Sequence, residues 1–470
     1  MWYYLVYMQI LTDGAVEGVL VRLSEGTSVK FVEKDGVDEL RIGYDKEAPL
    51  SRRKLVIFLR KIVTTAKQQK LSSLTLPWAE LRALAASDIS DEALAQTAAV
   101  AFLMANFEFT VYKKIPEDGF ATIQKISVQG ASAEAASGFA RGLIIGDEVN
   151  ATRMLANTPG GDMTPTSLAE AAVAAAKGTP ATVEVLGRAE MEKYGMGAVL
   201  GIGKGSSEEP KFIVVEYWGT DKSVKPVVLI GKGVTFDTGG LNIKTGDNMY
   251  EMHMDMSGGA AVIHTAVLAA KLGLKVNVVA LVPAVENAPG QNAVRPGDIL
   301  KSLSGKTIEV LNTDAEGRVI MADAITYAKK YNPEAVINVS TLTGAALIAL
   351  GLQASAIMSN DQQFENLLRE KGEESGDYVW PFPLWEEYEE MAKGHFGDVP
   401  NISTAGNSRY GGVIAGGMFL WQFAKELKVP WAHIDMAPRM TSAPGEQLAS
   451  GAAGAPVRLL LSVLLHYAKQ

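Results

Sequence analysis

The sequence predicts an α/β protein with a small N-terminal α/β domain and a larger C-terminal α/β/α domain built on a mainly parallel central sheet. Three observations carry this. The chain has 470 residues, more than one ordinary core serves. From about residue 166, apolar strand-like runs alternate with helical ones, the pattern of a parallel sheet sandwiched by helices. Before about residue 145, short β-like and helical runs hold no dense polar cluster and no phosphate loop. The boundaries are set at 1–145 for an architectural or oligomeric domain, 146–165 for a linking helix and turn, and 166–470 for the larger domain.

In the first part the β-like runs are Trp2–Ile10, Val19–Leu23 and Ser28–Val32, and the helical runs are Lys54–Gln69 and Glu92–Ala105. The opening stretch MWYYLVYMQIL is apolar but has no basic leader and no small-residue cleavage pattern, so it reads as a strand in a cytoplasmic protein. From Ala131 to Ala156 the chain is Ala-rich, with Glu134, Arg141, Glu148 and Arg153 at roughly helical spacing, which predicts one connecting helix. The breaker run NTPGGDMTPTS follows from Asn157.

Beyond it the pattern predicts a helix at Leu168–Ala176, strands at Thr182–Leu186, Lys211–Tyr217 and Val227–Gly231, a helix at Ala260–Leu272 and a strand at Lys275–Val282. A strand at Lys306–Leu311, a helix at Val319–Lys330 and strands at Ala335–Val339 and Trp431–Met436 continue the alternation. VRLLLSVLLHYA from Val457 is a packing helix. Ala335–Ser359 carries no charge and has the length of a bilayer span. Asn338, Ser340, Thr341, Thr343, Gly344 and Gln353 break it into strand, TLTG turn and short helix.

A formal charge of −9 opposes general affinity for nucleic acid or anionic membrane. With no cysteine there are no disulfides, thiolate metal sites or cysteine nucleophiles. The polar residues instead concentrate in GKGVTFDTGGLNIKTGDNMYEMHMDMSGGAAV, from Gly231, and LNTDAEGR, from Leu311. These hold Lys232, Asp237, Lys244, Asp255, Asp314, Glu316 and Arg318 among many glycines. Both follow predicted strands, where α/β sheets gather their sites, and the TLTG turn follows a third.

Asp237, Asp255, Asp314 and Glu316 in one pocket repel one another unless compensated, and two divalent cations compensate them most simply. Oxygen-rich ligation suits Mn, Mg, Co or a catalytic Zn. GKG after a strand invites a phosphate-loop reading, but Pro226 stands where the Walker pattern needs glycine and Gly233 where it needs Ser or Thr. Neither HExxH nor GxSxG occurs, and GIGKGS from Gly201 lacks the third glycine of a dinucleotide fingerprint.

At these residues the sequence resembles the leucyl aminopeptidases, a family of two-metal metallopeptidases. The resemblance is carried by NTDAEGR (312–318), KGVTFDTGG with Lys244, NMYEMHMDMSGGAA, TLTGA from Thr341, WPFPL from Trp380, WAHIDMA from Trp431 and GAPVRLLL from Gly454. It covers the chain from about Asn150 to its end. It implies that Lys232, as a neutral amine, and Asp255 ligate one metal, that Asp237 and Glu316 bridge, and that Asp314 holds the other through side chain and carbonyl. It implies further that Lys244 polarises the scissile carbonyl and that Arg318 holds a bicarbonate acting as general base. Met252 and Thr341 then line the pocket for the first side chain, Leu342 offers its carbonyl to the substrate, and Gly344 completes the substrate-binding set. His253 stands where many members carry Lys or Arg.

The implied activity is removal of N-terminal leucine and other, mostly apolar, residues from peptides, with two Mn or Zn ions per subunit, Mg or Co being alternatives, in a homohexamer. Two other readings stand beside it. A narrow dipeptidase, for example on cysteinyl-glycine, uses the same residues, and some family members also bind DNA architecturally. Against the second, no basic run rises above isolated pairs such as Arg52-Arg53 and Lys113-Lys114.

Overall fold

The computed structural model describes residues 8–14, 17–34, 37–44, 49–407 and 410–469, so most of the Trp2–Ile10 run lies outside the described residues. The chain divides into two compact units, Met1–Asn150 with Ser442–Ser450, and Ala151–Thr441 with Gly451–Gln470.

The first unit contains β1 (Gln9–Leu11), β2 (Val19–Glu25), β3 (Val29–Lys34), β4 (Val37–Tyr44), α1 (Arg52–Gln68), β5 (Ser73–Pro77), α2 (Trp78–Leu84), α3 (Asp91–Asn106), β6 (Lys125–Gln129) and most of α4 (Ala133–Asn157). The strands form one sheet in the order β1-β6-β5-β2-β4-β3, parallel except where β3 turns back on β4. Ser51 caps α1 by accepting from the Lys54 N–H, and Leu55, Leu59, Ile62 and Ala66 bury one helical face. Helix α4 runs close to α3 because Gly138 and Gly142 face it. A Cβ at Gly138 would lie 2.2 Å from the Glu92 carbonyl oxygen, and one at Gly142 2.6 Å from Ala99 Cβ. Ser442–Ser450 is tied to this unit by hydrogen bonds from Arg60 Nη1 to the Glu446 carbonyl (3.1 Å) and from Thr64 to Gln447 Oε1 (2.8 Å).

The second unit continues with α5 (Pro165–Ala176), β7 (Thr182–Leu186), α6 (Arg188–Tyr194), α7 (Gly197–Ile202), β8 (Lys211–Trp218), β9 (Val227–Gly231), β10 (Gly233–Asp237), α8 (Ser257–Lys271) and β11 (Asn277–Asn287). Next come β12 (Ile299–Lys301), β13 (Thr307–Glu309), α9 (Glu316–Ala328), β14 (Ala335–Ser340), α10 (Gly344–Leu350), β15 (Ser355–Ser359), α11 (Gln362–Ser375), β16 (Val379–Pro381), β17 (Val399–Pro400), α12 (Gly412–Ala424), β18 (Trp431–Asp435) and α13 (Val457–Tyr467). The large sheet has the order β16-β15-β18-β14-β9-β11-β8-β7, with β10 added on β11. Strands β18, β14, β9, β11 and β10 run parallel, while β8 opposes both β11 and β7 and β15 opposes β18. Among its middle strands β9 reads as an unbroken apolar run and is buried at every residue, as a strand covered on both faces requires.

Two expectations are corrected. The run Lys306–Leu311 is not a strand of the main sheet: only Thr307–Glu309 is extended, in a separate three-stranded sheet with β12 and β17. Beyond it the Leu311 N–H turns to Asn401 Oδ1 and the ladder stops. The strand expected to end at Val282 runs on to Asn287 through Pro283. Among its parallel neighbours, β9 pairs up to Leu281 and β10 begins at Ala284, so Pro283 falls at the seam between them while it stands opposite Phe212 of antiparallel β8.

Ala335–Ser359 is strand, TLTG turn, short helix and strand, and among the described residues no helix is long and apolar enough to cross a membrane.

Candidate metal centre

Lys232 follows β9, Asp237 ends β10, Asp255 precedes α8 and Glu316 is the first residue of α9. All four are at most 3% exposed. One carboxylate oxygen from each of Asp237, Asp255 and Glu316 lies within 4.8 Å of the others. Lys232 Nζ sits 2.6 Å from Asp255 Oδ2 and 2.8 Å from Glu316 Oε1. Lys244 Nζ sits 2.8 Å from Asp237 Oδ2 and 2.5 Å from Asp314 Oδ1. Six of the seven charged residues singled out in the two clusters, all but Arg318, therefore form one ionic network.

Glycine makes this approach feasible. A Cβ at Gly317 would lie 2.3 Å from Lys232 Cε, so the lysine reaches Glu316 only past a bare Cα. Gly239 holds φ at +85°, and a Cβ there would lie 2.9 Å from Asp314 Oδ1.

Four carboxylates face two ammonium groups, which leaves the pocket short of positive charge. Burial raises the carboxyl affinity of Glu316, Asp255 and Asp314 for protons, and the Asp237 carboxylate raises all three further. Burial opposes the charge on Lys232, but Asp255, Glu316 and Asp237 override it and raise its proton affinity. Burial likewise opposes the charge on Lys244, and Asp237, Glu316 and Asp314 raise it in turn. Glu316 Oε2 is buried with no hydrogen-bond partner. A negative balance, clustered oxygens and an orphaned carboxylate oxygen fit cations with hard oxygen ligands.

Arg318 is buried, donates from Nη1 to the Asn401 carbonyl (2.9 Å), and is pushed down to about 10 by burial, which leaves it cationic. Thr341 donates to Asp255 Oδ1 at 2.6 Å. Leu342 Cδ2 and Arg318 Nη2 both lie beside Gly416 of α12. Met252, half-buried, opens a short 3-10 turn, Met252–Met254, that lies against β10. Gly344 is the exposed first residue of α10, with nothing within 4 Å of where its Cβ would stand.

Sequence reasoning missed the residues that hold the site loops. Asp435, fully buried, accepts from the Leu342 N–H (3.0 Å), the Thr343 hydroxyl (2.6 Å) and the Ala437 N–H (3.3 Å). Asn242 accepts from the Thr313 N–H, and the Thr313 hydroxyl donates to the Gly239 carbonyl. Asn401 accepts from the Leu311 and Asn312 N–H groups and donates to the Asn312 carbonyl. Asn287 donates to Asp237 Oδ1 at 2.8 Å. Asp435 lay inside the quoted WAHIDMA run and Asn242 inside the quoted cluster from Gly231, both without a role.

Comparison with known proteins agrees with this arrangement. The family model described as "Cytosol aminopeptidase family, catalytic domain" matches residues 150–461. The chain is 48% identical over 325 residues to a probable cytosol aminopeptidase of Azoarcus sp. (strain BH72), covering 69% of this chain and 63% of that protein. It therefore spans less than two thirds of that relative's length. It is 44% identical over 377 residues to a probable cytosol aminopeptidase of Nitrosospira multiformis, covering 78% of this chain and 70% of that protein. The solved structure "Bottromycin maturation enzyme BotP in complex with Mn" is similar at a TM-score of 0.85 and 27% identity, covering 96% of this chain and 99% of that one. With more than half of its length matched by the catalytic-domain model and its two polar clusters meeting in one buried carboxylate pocket, the chain belongs to the cytosol aminopeptidase family.

Proposed function

We propose that the protein is a metal-dependent aminopeptidase that removes leucine and other, mostly apolar, residues from the N-termini of peptides. The observation that carries this reading is the buried meeting of Asp237, Asp255 and Glu316 within 4.8 Å, with a lysine on either side. Lys232 and Asp255 would hold one ion and Asp314 the other, with Asp237 and Glu316 the carboxylates that would be shared between them. When bound, the pair of divalent cations supplies Lewis acidity for water activation and carbonyl polarisation. Mn or Zn fits the donor set, as do Mg and Co.

Lys244 is less deeply buried than Lys232, at 14% against 4% side-chain exposure, and its proton is held by the surrounding acids. It donates to the substrate carbonyl oxygen as charge develops there. Arg318, cationic at working pH, would hold a bicarbonate serving as general base. Met252 and Thr341 line the pocket for the first side chain, the Leu342 carbonyl accepts from the substrate, and Gly344 leaves room beside it. Asp435 already occupies the Leu342 N–H, which fixes that peptide.

The protein acts in the cytoplasm as a homohexamer, with residues 1–145 in an architectural or oligomeric role, 146–165 linking, and the catalytic part in 166–470. No observation favours the narrow dipeptidase or the DNA-binding reading.

The test compares leucine p-nitroanilide with its N-acetylated form in the presence of Mn or Zn. Release from the free amine alone, stopped by chelation, is the expected result; no release with Mn, Zn, Co or Mg overturns the proposal.

A further inference from the structure

We infer that Asn287 is a positioning residue that sets the spacing between the two carboxylate-bearing loops. It rests on the two-cation reading of the same pocket.

Asn287 ends β11 and is 1% exposed. Its Nδ2 donates to Asp237 Oδ1 at 2.8 Å and to the Thr313 carbonyl at 3.0 Å. Thr313 immediately precedes Asp314, so one amide group grips a carboxylate on the first loop and the peptide entering the second. Both of its hydrogens are used. The main chain makes a second grip, because the Asn287 carbonyl accepts from the Thr238 N–H (3.0 Å) and hydroxyl (2.8 Å). Its Oδ1 rests over Gly240, where a Cβ would come within 2.9 Å, so glycine at 240 admits the amide.

The consequence is a division of labour between the two oxygens of Asp237. Oδ1 takes the Asn287 amide and the Gly239 N–H (2.9 Å), while Oδ2 is left facing Lys244 in the pocket. A carboxylate held in this way presents one oxygen in one direction, which is what groups behind a metal ligand supply. Aspartate cannot replace asparagine here, since its carboxylate would face Asp237 Oδ1 and the Thr313 carbonyl without a donor.

Metal-free wild type, Asn287→Leu and Asn287→Ala are titrated with Mn2+ by calorimetry. The Mn2+-loaded forms are then examined by electron paramagnetic resonance, and melting of the metal-free forms establishes folding. N287A removes the amide without added bulk, so either variant, once folded, decides. Expected are two Mn2+ with an exchange-coupled spectrum in wild type, and in the variants an affinity roughly 10–100-fold lower with an altered or lost coupled spectrum. Variants that melt lower yet bind Mn2+ with wild-type affinity and an unchanged pair spectrum overturn the positioning role alone. A wild type that binds no Mn2+ pair overturns the two-cation reading and this inference with it.

Discussion

Thr341 donates its hydroxyl to Asp255 Oδ1 across 2.6 Å, although the two stand 86 positions apart. The turn after β14 thus fixes one oxygen of a carboxylate whose other oxygen faces Lys232. Thr341→Val keeps the shape and removes the donor. Mn2+ affinity is expected to fall about 10–100-fold, the range for losing a partner behind a metal ligand, as read by titration of the metal-free protein. Unchanged affinity and turnover would contradict that role.

Lys244 bridges Asp237 and Asp314 with a charge that both reinforce. Lys244→Ala is expected to lower kcat by roughly 10²–10³, the scale for losing one donor to a developing oxyanion. Bound metal should remain at wild-type stoichiometry by elemental analysis. Loss of metal instead would move Lys244 from catalysis to assembly of the site.

Asp435 answers donors from Leu342, Thr343 and Ala437 in a fully buried position. Asp435→Ala leaves them unpaired. Chemical denaturation should show a loss of about 1–3 kcal/mol, and turnover should fall because the Leu342 peptide is released.

Glu426 carries the clearest acid dependence away from the pocket. Hydrogen bonds from Lys306 (2.6 Å) and Lys329 (2.5 Å) hold its carboxyl down to about 2. A depressed folded value stabilises above the unfolded value, near 4.5, and that contribution is lost as pH falls toward 2. With the side chain 38% exposed, solvent screening limits the gain to about 1 kcal/mol or less. Glu426→Gln should therefore be slightly less stable than wild type at pH 7, and the gap should close between pH 4.5 and 2 in urea melts. A gap that widens on acidification contradicts the pairing.

Much of the second unit was legible because its strands are short β-branched runs bounded by Gly, Pro or polar residues, continuous and apolar at buried β9, alternating at edge strand β7. Thr182–Leu186 and Val227–Gly231 match the observed strands to the residue. The clusters were legible because glycine and charge together mark a backbone that must come close to something. What stayed hidden lies in long-range partners. Lys306–Leu311 has strand composition, but only the fold reveals that its neighbours are Ile299–Lys301 and Val399–Pro400. Pro283 hid the end of β11, and with it Asn287, because proline normally ends a strand and here sits at a seam between two partners. Asn401 and Asp435 are 90 and 93 positions from the loop residues they hold, beyond any local periodicity.

The central claim is that the buried pocket works with two divalent cations. Metal-free protein is dialysed to equilibrium against increasing Mn2+, and bound metal and leucine p-nitroanilide turnover are measured on the same samples. The account predicts saturation at two ions per chain, with full activity only as the second is taken up. Full activity at one ion or none would contradict it.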